Sequence, residues 1–239
     1  MTAVSARTYS RAVGIFLLLS MVGGYYGEMY VPSLMMGGDA TTTAAQLRQN
    51  DGLFRLGFAG YLIEAVSDII IAWLFYVLLK PVDRDLALLS ALFGLVSMCL
   101  FAVAKMFYFA APIFVRGSKY LTAFPPDQLD AFASLFILLY GGLSGLTFLF
   151  YGIGWLIRGY LTFRSGYLPR MLGGLMCLAG VGFAAKTITY VLAPAYSSDV
   201  LLAPMFFNAI AVTLWMLLKG VDPDKWADRH LQQNLVYAG

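Results

Sequence analysis

Six long apolar runs dictate what this chain can become. They cover about residues 11–36, 52–80, 86–113, 127–161, 171–192 and 200–218, with short polar stretches between them. A bilayer core takes about 20 apolar residues of helix at about 1.5 Å rise per residue, so each run is long enough to cross once. Within lipid a segment has to satisfy its own backbone polar groups, which a helix does and a lone strand does not. The expected fold is therefore all-α: a polytopic integral membrane bundle of six transmembrane helices, one domain over 1–239. Residues 221–239 read as a short interfacial cytoplasmic tail with Trp226 as its membrane anchor. A mean hydropathy of +0.76, with 60% hydrophobic and 12% charged residues, leaves no stretch here for a separate soluble domain.

The first run passes "MVGG" and continues through Tyr25, Tyr26 and Val31 without a small-x-small cleavage pattern, so it reads as a retained span. Lys and Arg set the orientation. With the N-terminus inside, ten of the 16 fall on the cytoplasmic side, among them Arg7, Arg11, Arg158, Lys219 and Lys225. Four, Arg48, Arg55, Arg116 and Lys119, fall outside. The positive-inside rule then places both termini in the cytoplasm, and Trp73, Trp155, Trp215 and Trp226 form a belt at the inner interface. Local signals mark helix ends. Thr43 with Gln46 resembles a capping box, Asp85 is placed to cap the third span, and Pro126 with Asp127 starts a long fourth helix. Asp51 and Arg55, four residues apart, are expected to pair.

Two stretches, "LFRLGFAGYLIEAVSDIIIAWLFYVLLKPVDRDLALLSALF" and "GYLTFRSGYLPRMLGGLMCLAG", resemble the paired signatures of a bacterial membrane family, domain of unknown function 4386. The likeness extends over nearly the whole chain. It implies a six-span multi-pass protein of the bacterial cytoplasmic (inner) membrane and implies no activity, so function rests on the residues themselves.

The informative residues are charges inside the apolar runs. Glu64 and Asp68 straddle the middle of the second run and, four apart, share a helix face. Glu28, Lys105 and Lys186 lie about five or six residues to the outer side of their midpoints, and Asn208 is close to the centre of the sixth run. Neither lysine has an acid within its own run. Ionisable groups in lipid turn inward and pair, so Glu28, Glu64, Asp68, Lys105 and Lys186 are expected to meet between helices. Three acids against two bases leave one negative charge uncompensated. Either one carboxyl keeps a proton or the site takes a cation or cationic ligand. Tyr25, Tyr140, Ser144 and Tyr190 fall at positions suited to line a hydroxyl-rich cavity opening outward, with Thr147 and Tyr151 continuing the stripe of the fourth helix.

Other chemistries find no support in the pattern. The single histidine, His230, lies in the tail, and Cys99 and Cys177 sit in separate runs without a CxxC partner, so no metal and no cofactor is expected. "GLSG" around Ser144 has the form of a membrane serine nucleophile, yet no span supplies a histidine base. Basic residues are scattered, which excludes a nucleic-acid surface. The reading is an uncharacterised membrane protein that binds or moves a proton, cation or small polar solute from the outer side. Its partners are the lipid bilayer and that ligand, with no protein partner specified. The alternative is a structural or regulatory component whose buried charges fix helix packing. A membrane-embedded enzyme is the least favoured class.

Overall fold

The computed structural model describes residues 3–35, 38–117 and 119–238, and among these every regular element is a helix. Helix α1 (Ala3–Gly24) passes through a π-helical turn, Tyr25–Tyr30, into α2 (Val31–Met35). There follow α3 (Ala40–Gln49), α4 (Asp51–Leu79), α5 (Arg84–Val115), α6 (Pro126–Ser165), α7 (Arg170–Leu192), α8 (Ala203–Leu218) and α9 (Pro223–Ala238). Six stretches are long and apolar enough to cross a membrane: Ala6–Met35, Asp51–Leu79, Arg84–Val115, Pro126–Ser165, Arg170–Leu192 and Asp199–Leu218. Each falls on one of the six apolar runs of the sequence. Exposed Leu56, Met106, Leu138 and Phe207 occupy these helices, a placement that lipid tolerates and water does not.

Helix starts follow capping chemistry, with two corrections. Asp39, not Thr43, caps α3: its Oδ1 accepts from the Thr42 N–H at 2.7 Å, while Thr43 is buried within the helix. Ahead of α5 the cap is Asp83, whose Oδ1 accepts from the Leu86 N–H at 3.0 Å, and Asp85 lies in the first turn. Pro126 opens α6 as expected. At 40 residues α6 is about 60 Å long, roughly twice a bilayer core.

The chain groups into two compact units. The smaller comprises Leu19–Val66 and Cys99–Gly145; the larger comprises Met1–Leu18, Ser67–Met98 and Leu146–Gly239. No polar linker marks the boundary, because it cuts α1, α4, α5 and α6 within their lengths.

In the smaller unit, Val31, Met35, Leu47, Phe54, Tyr108 and Tyr140 form one buried cluster. Arg48 of α3 ion-pairs with Asp130 and donates from Nε to the Val115 carbonyl at 3.3 Å. Asp51 bonds Arg55 at 2.9 Å, as their spacing requires, and pairs also with Arg116. In the larger unit the core gathers Phe75, Leu78, Trp155, Leu161, Met176, Met216 and Trp226. Trp226 is no surface anchor: it is fully buried and donates from Nε1 to the Leu78 carbonyl at 3.0 Å. The Tyr167 hydroxyl donates to the same carbonyl at 2.6 Å. Leu78 lies in the last turn of α4, where a helix leaves carbonyls without N–H partners, and the two side chains fill that need. Trp155 is likewise buried, so the aromatic belt loses two of its four members to the core.

Candidate functional site

The site in the smaller unit begins with glycine. A Cβ on Gly23 would fall 2.5 Å from the Gly60 carbonyl oxygen, and one on Gly27 would fall 2.6 Å from the Tyr61 nitrogen. The backbones of the first span and α4 thus touch, as small residues permit. The π turn Tyr25–Tyr30 lies at this crossing. There the Val31 N–H reaches back five residues to the Tyr26 carbonyl instead of four to Gly27. The next N–H in that register would belong to Pro32, which has none. The Gly27 carbonyl is therefore left without a helical donor.

Lys105 fills the gap. Its ammonium donates to the Gly27 carbonyl at 3.1 Å and ion-pairs with Glu28 Oε1 at 2.5 Å. The side chain is 1% exposed, among the deepest in the protein. Four rings surround the ammonium, with centroids at 4.4 Å (Tyr140), 4.5 Å (Tyr108), 5.2 Å (Tyr61) and 5.8 Å (Phe101). Tyr140 also donates its hydroxyl to Glu28 Oε2 at 2.5 Å, so both oxygens of that carboxylate are engaged. Glu64 completes the group. Its carboxylate packs against Gly24, where a Cβ would come 2.8 Å from Oε1, and its charge acts on Lys105, Tyr61 and Tyr140. The unit therefore holds one ammonium inside an aromatic cage, with two half-buried carboxylates beside it. Such a cage stabilises an ammonium by cation–π attraction, about 2 kcal/mol or more when desolvated.

The remaining residues expected in one cluster have other partners. Lys186 ion-pairs with Asp199 at 2.8 Å, an acid that is 92% exposed. Asp199 opens a 3-10 turn in the connection between α7 and α8, and reading it as a loop residue hides it as a partner for a span lysine. Asp68 accepts from the Tyr151 hydroxyl at 3.2 Å. Arg158, assigned by the sequence to the cytoplasmic surface, is within electrostatic reach of Asp68. Arg158 is buried, with its guanidinium 4.6 Å from the Phe75 centroid and 4.8 Å from that of Trp155. Asn208 is buried on α8, and its Oδ1 has no hydrogen bond among the described residues.

The expected hydroxyl-lined cavity is likewise redistributed. Tyr140 is spent on Glu28, Tyr25 and Tyr190 are exposed, and Ser144 is buried. A cavity of about 640 Å³ in the larger unit has none of the four in its lining. The features missed in the sequence are the roles of Tyr61 and Tyr108, the open carbonyl of Gly27 and the burial of Arg158. Tyr61 lies three residues before Glu64 and Tyr108 three after Lys105, so i, i+3 spacing was the available signal for the cage. Pro32, five residues beyond Gly27, was the signal for the free carbonyl.

Fold and site together define a six-span membrane protein with a buried lysine paired to a carboxylate in an aromatic cage. The chain belongs to the family described as a domain of unknown function (DUF4386), which matches residues 12–220. All of Glu28, Glu64, Asp68, Lys105, Lys186 and Asn208 lie within that range. The chain is similar to a protein of Archaeoglobus fulgidus called "Uncharacterized protein", 25% identical over 161 residues that make up 67% of this chain and 82% of that one. No solved structure matches the chain.

Proposed function

We propose that the protein binds a proton or a small monovalent cation at Glu28, Glu64 and Lys105. The observation that carries this is a second carboxylate, half-buried Glu64, whose charge acts on the buried, aromatic-walled Lys105 ammonium that already ion-pairs with Glu28. Fully ionised, the group holds one negative charge in a poorly solvated place, at a cost of several kcal/mol. One proton, or one cation of single charge, removes it. The rings around Lys105 favour an ammonium-like solute over a strongly hydrated metal ion. In the same reading the protein resides in the bacterial cytoplasmic membrane with both termini inside, which the ten-to-four distribution of Lys and Arg supports. The site then serves solutes arriving from the outer side.

A second reading, a structural clasp, is favoured by the saturation of Lys105: one carboxylate, one carbonyl and four rings hold it. The two separate in one experiment. Thermal unfolding of the purified protein in neutral detergent is followed with sodium, potassium, methylammonium and tetramethylammonium chlorides, at pH 8 and pH 5. Cation binding predicts a rise in Tm at pH 8, a smaller rise at pH 5, and none in Glu64→Gln. Equal responses in parent and Glu64→Gln leave the clasp as the function of the site.

A further inference from the structure

A second feature of the molecule, independent of the lysine cage, is the cavity of about 640 Å³ in the larger unit. Three chain segments build it. Arg7 and Arg11 lie at the start of the first span, Gly166–Pro169 joins the fourth span to the fifth, and Lys219–Asp222 follows the end of the sixth. Spans alternate in direction, so all these ends belong to one face of the membrane. The cavity sits at the level where lipid headgroups lie.

Its charged side chains are predominantly cationic. Arg7, Arg11, Lys219 and Lys225 line it together with one carboxylate, Asp222. Asp222 is already committed: Oδ1 accepts from the Lys225 N–H at 3.3 Å and Oδ2 ion-pairs with the Lys225 ammonium at 3.1 Å. Among the described residues none of Arg7, Arg11 and Lys219 has an ion-pair partner; Lys219 only stacks its ammonium 4.9 Å from the Trp215 ring. Helix ends do not offset them. The C-termini of α6 and α8 and the N-termini of α7 and α9 flank the cavity, and their partial charges of opposite sign cancel to first order. Three uncompensated cations therefore face one concave space.

The walls are also fixed. Gly220 has φ +70°, and a Cβ there would lie 2.6 Å from Ser10 Oγ. That hydroxyl, buried on α1 one residue from Arg11, accepts from the Val221 N–H at 3.2 Å. Trp215 Nε1 donates to the Gly220 carbonyl at 2.9 Å, and the Asp222 N–H donates to the Tyr167 carbonyl at 3.1 Å. The turn carrying Lys219 is thus tied to the helix carrying Arg7 and Arg11.

We propose that this cavity binds a phosphate-bearing group at the membrane surface, either the headgroup of an anionic lipid or a soluble phosphomonoester. Guanidinium groups one helical turn apart grip phosphate oxygens in bidentate fashion, and basic pockets between spans are the usual seats of anionic headgroups. The volume lies in the range of small-molecule sites.

The test uses the full chain in nanodiscs and in detergent. Native mass spectrometry counts lipids retained from phosphatidylglycerol and from phosphatidylcholine, and titrations with glycerol 3-phosphate and inorganic phosphate follow Tm. The expected result is retained phosphatidylglycerol, or saturable stabilisation by the soluble phosphates, weakened at least tenfold in Arg7→Gln/Arg11→Gln and in Lys219→Gln. The first outcome identifies a lipid as the source and the second a soluble compound. Arg84→Gln/Arg164→Gln removes equal charge from exposed positions outside the cavity and leaves binding unchanged. Absence of binding to any of these probes overturns the proposal, as does equal loss in the control pair. Lys219→Gln, which leaves α1 intact, keeps the test valid if the double variant fails to fold.

Discussion

The Lys105 ammonium meets Glu28 Oε1 at 2.5 Å on the π turn whose Gly27 carbonyl has lost its helical donor. One side chain thereby satisfies a charge and a stranded carbonyl. Removing it leaves both exposed to a medium that cannot solvate them. Lys105→Met is expected to cost about 3–5 kcal/mol, the range for breaking a buried pair by deleting one partner. Lys105→Met/Glu28→Gln should recover a large part of that loss. Unfolding of the single and double variants in mixed micelles gives the coupling directly, and additive losses would contradict the pairing.

Tyr140 and Tyr108 share the same cage but not the same obligations. The Tyr140 hydroxyl donates to the Glu28 carboxylate, whereas the buried Tyr108 hydroxyl has no hydrogen-bond partner among the described residues. Tyr140→Phe should lose about 1.5–3 kcal/mol, the value of a hydrogen bond to a charged group. Tyr108→Phe should be neutral or slightly stabilising. Equal effects in the two would deny the asymmetry.

Glycine at the crossing of the first span and α4 is a steric demand that glycine elsewhere is not. In Gly27→Ala the new methyl meets the Tyr61 backbone nitrogen at 2.6 Å, so a helix has to move. A loss of about 1–3 kcal/mol is expected from such overpacking, together with disturbance of the Lys105 site. At Gly174 of α7 an added methyl would meet nothing within 4 Å, and Gly174→Ala should gain up to about 1 kcal/mol from helix propensity. Thermal unfolding of the two variants beside the parent checks the contrast.

The six spans are legible because hydrophobic length is a local property, and so is the Asp51–Arg55 pair, set by spacing on one helix. Depth alone brings Glu28 and Lys105 to the same level. What depth cannot supply is azimuth. Height groups Lys186 with Glu28, yet Asp199 reaches it from a connection that sequence counts as loop. Linear position near a helix end suggests that Arg158 snorkels to the surface, while packing against Phe75 and Trp155 buries it. Trp226 misleads for the same reason: an amphipathic tail offers its tryptophan to lipid or to protein with equal local pattern. The π turn depends on a proline five residues away from the carbonyl it frees, a relation outside ordinary helical spacing.

The tail carries a pH response of known sign. Burial, and next the positive charge of Lys80, hold the His230 imidazole below its ordinary pKa of 6.5. Above that value docked and undocked tails are both neutral, and docking is at full strength. As pH falls below it the undocked tail takes up the proton first, so docking of α9 weakens toward acid. The His230 ring lies 5.4 Å from that of Trp226, which makes tryptophan emission a local reporter. Protection of the α9 amides relative to their intrinsic exchange rate should fall between pH 7.5 and pH 5, and His230→Gln should flatten the profile. A parent profile as flat as the variant's would contradict this.

The central claim is that the Glu28, Glu64 and Lys105 group holds one exchangeable positive charge. Infrared difference spectroscopy in the carboxylic-acid region, taken as pH is stepped and again as methylammonium is added at fixed pH, reads it most directly. The account predicts one carboxyl band that titrates, that disappears when methylammonium is added, and that is absent from Glu64→Gln. A spectrum in which no carboxyl responds to either step, or in which Glu64→Gln responds as the parent does, would contradict it.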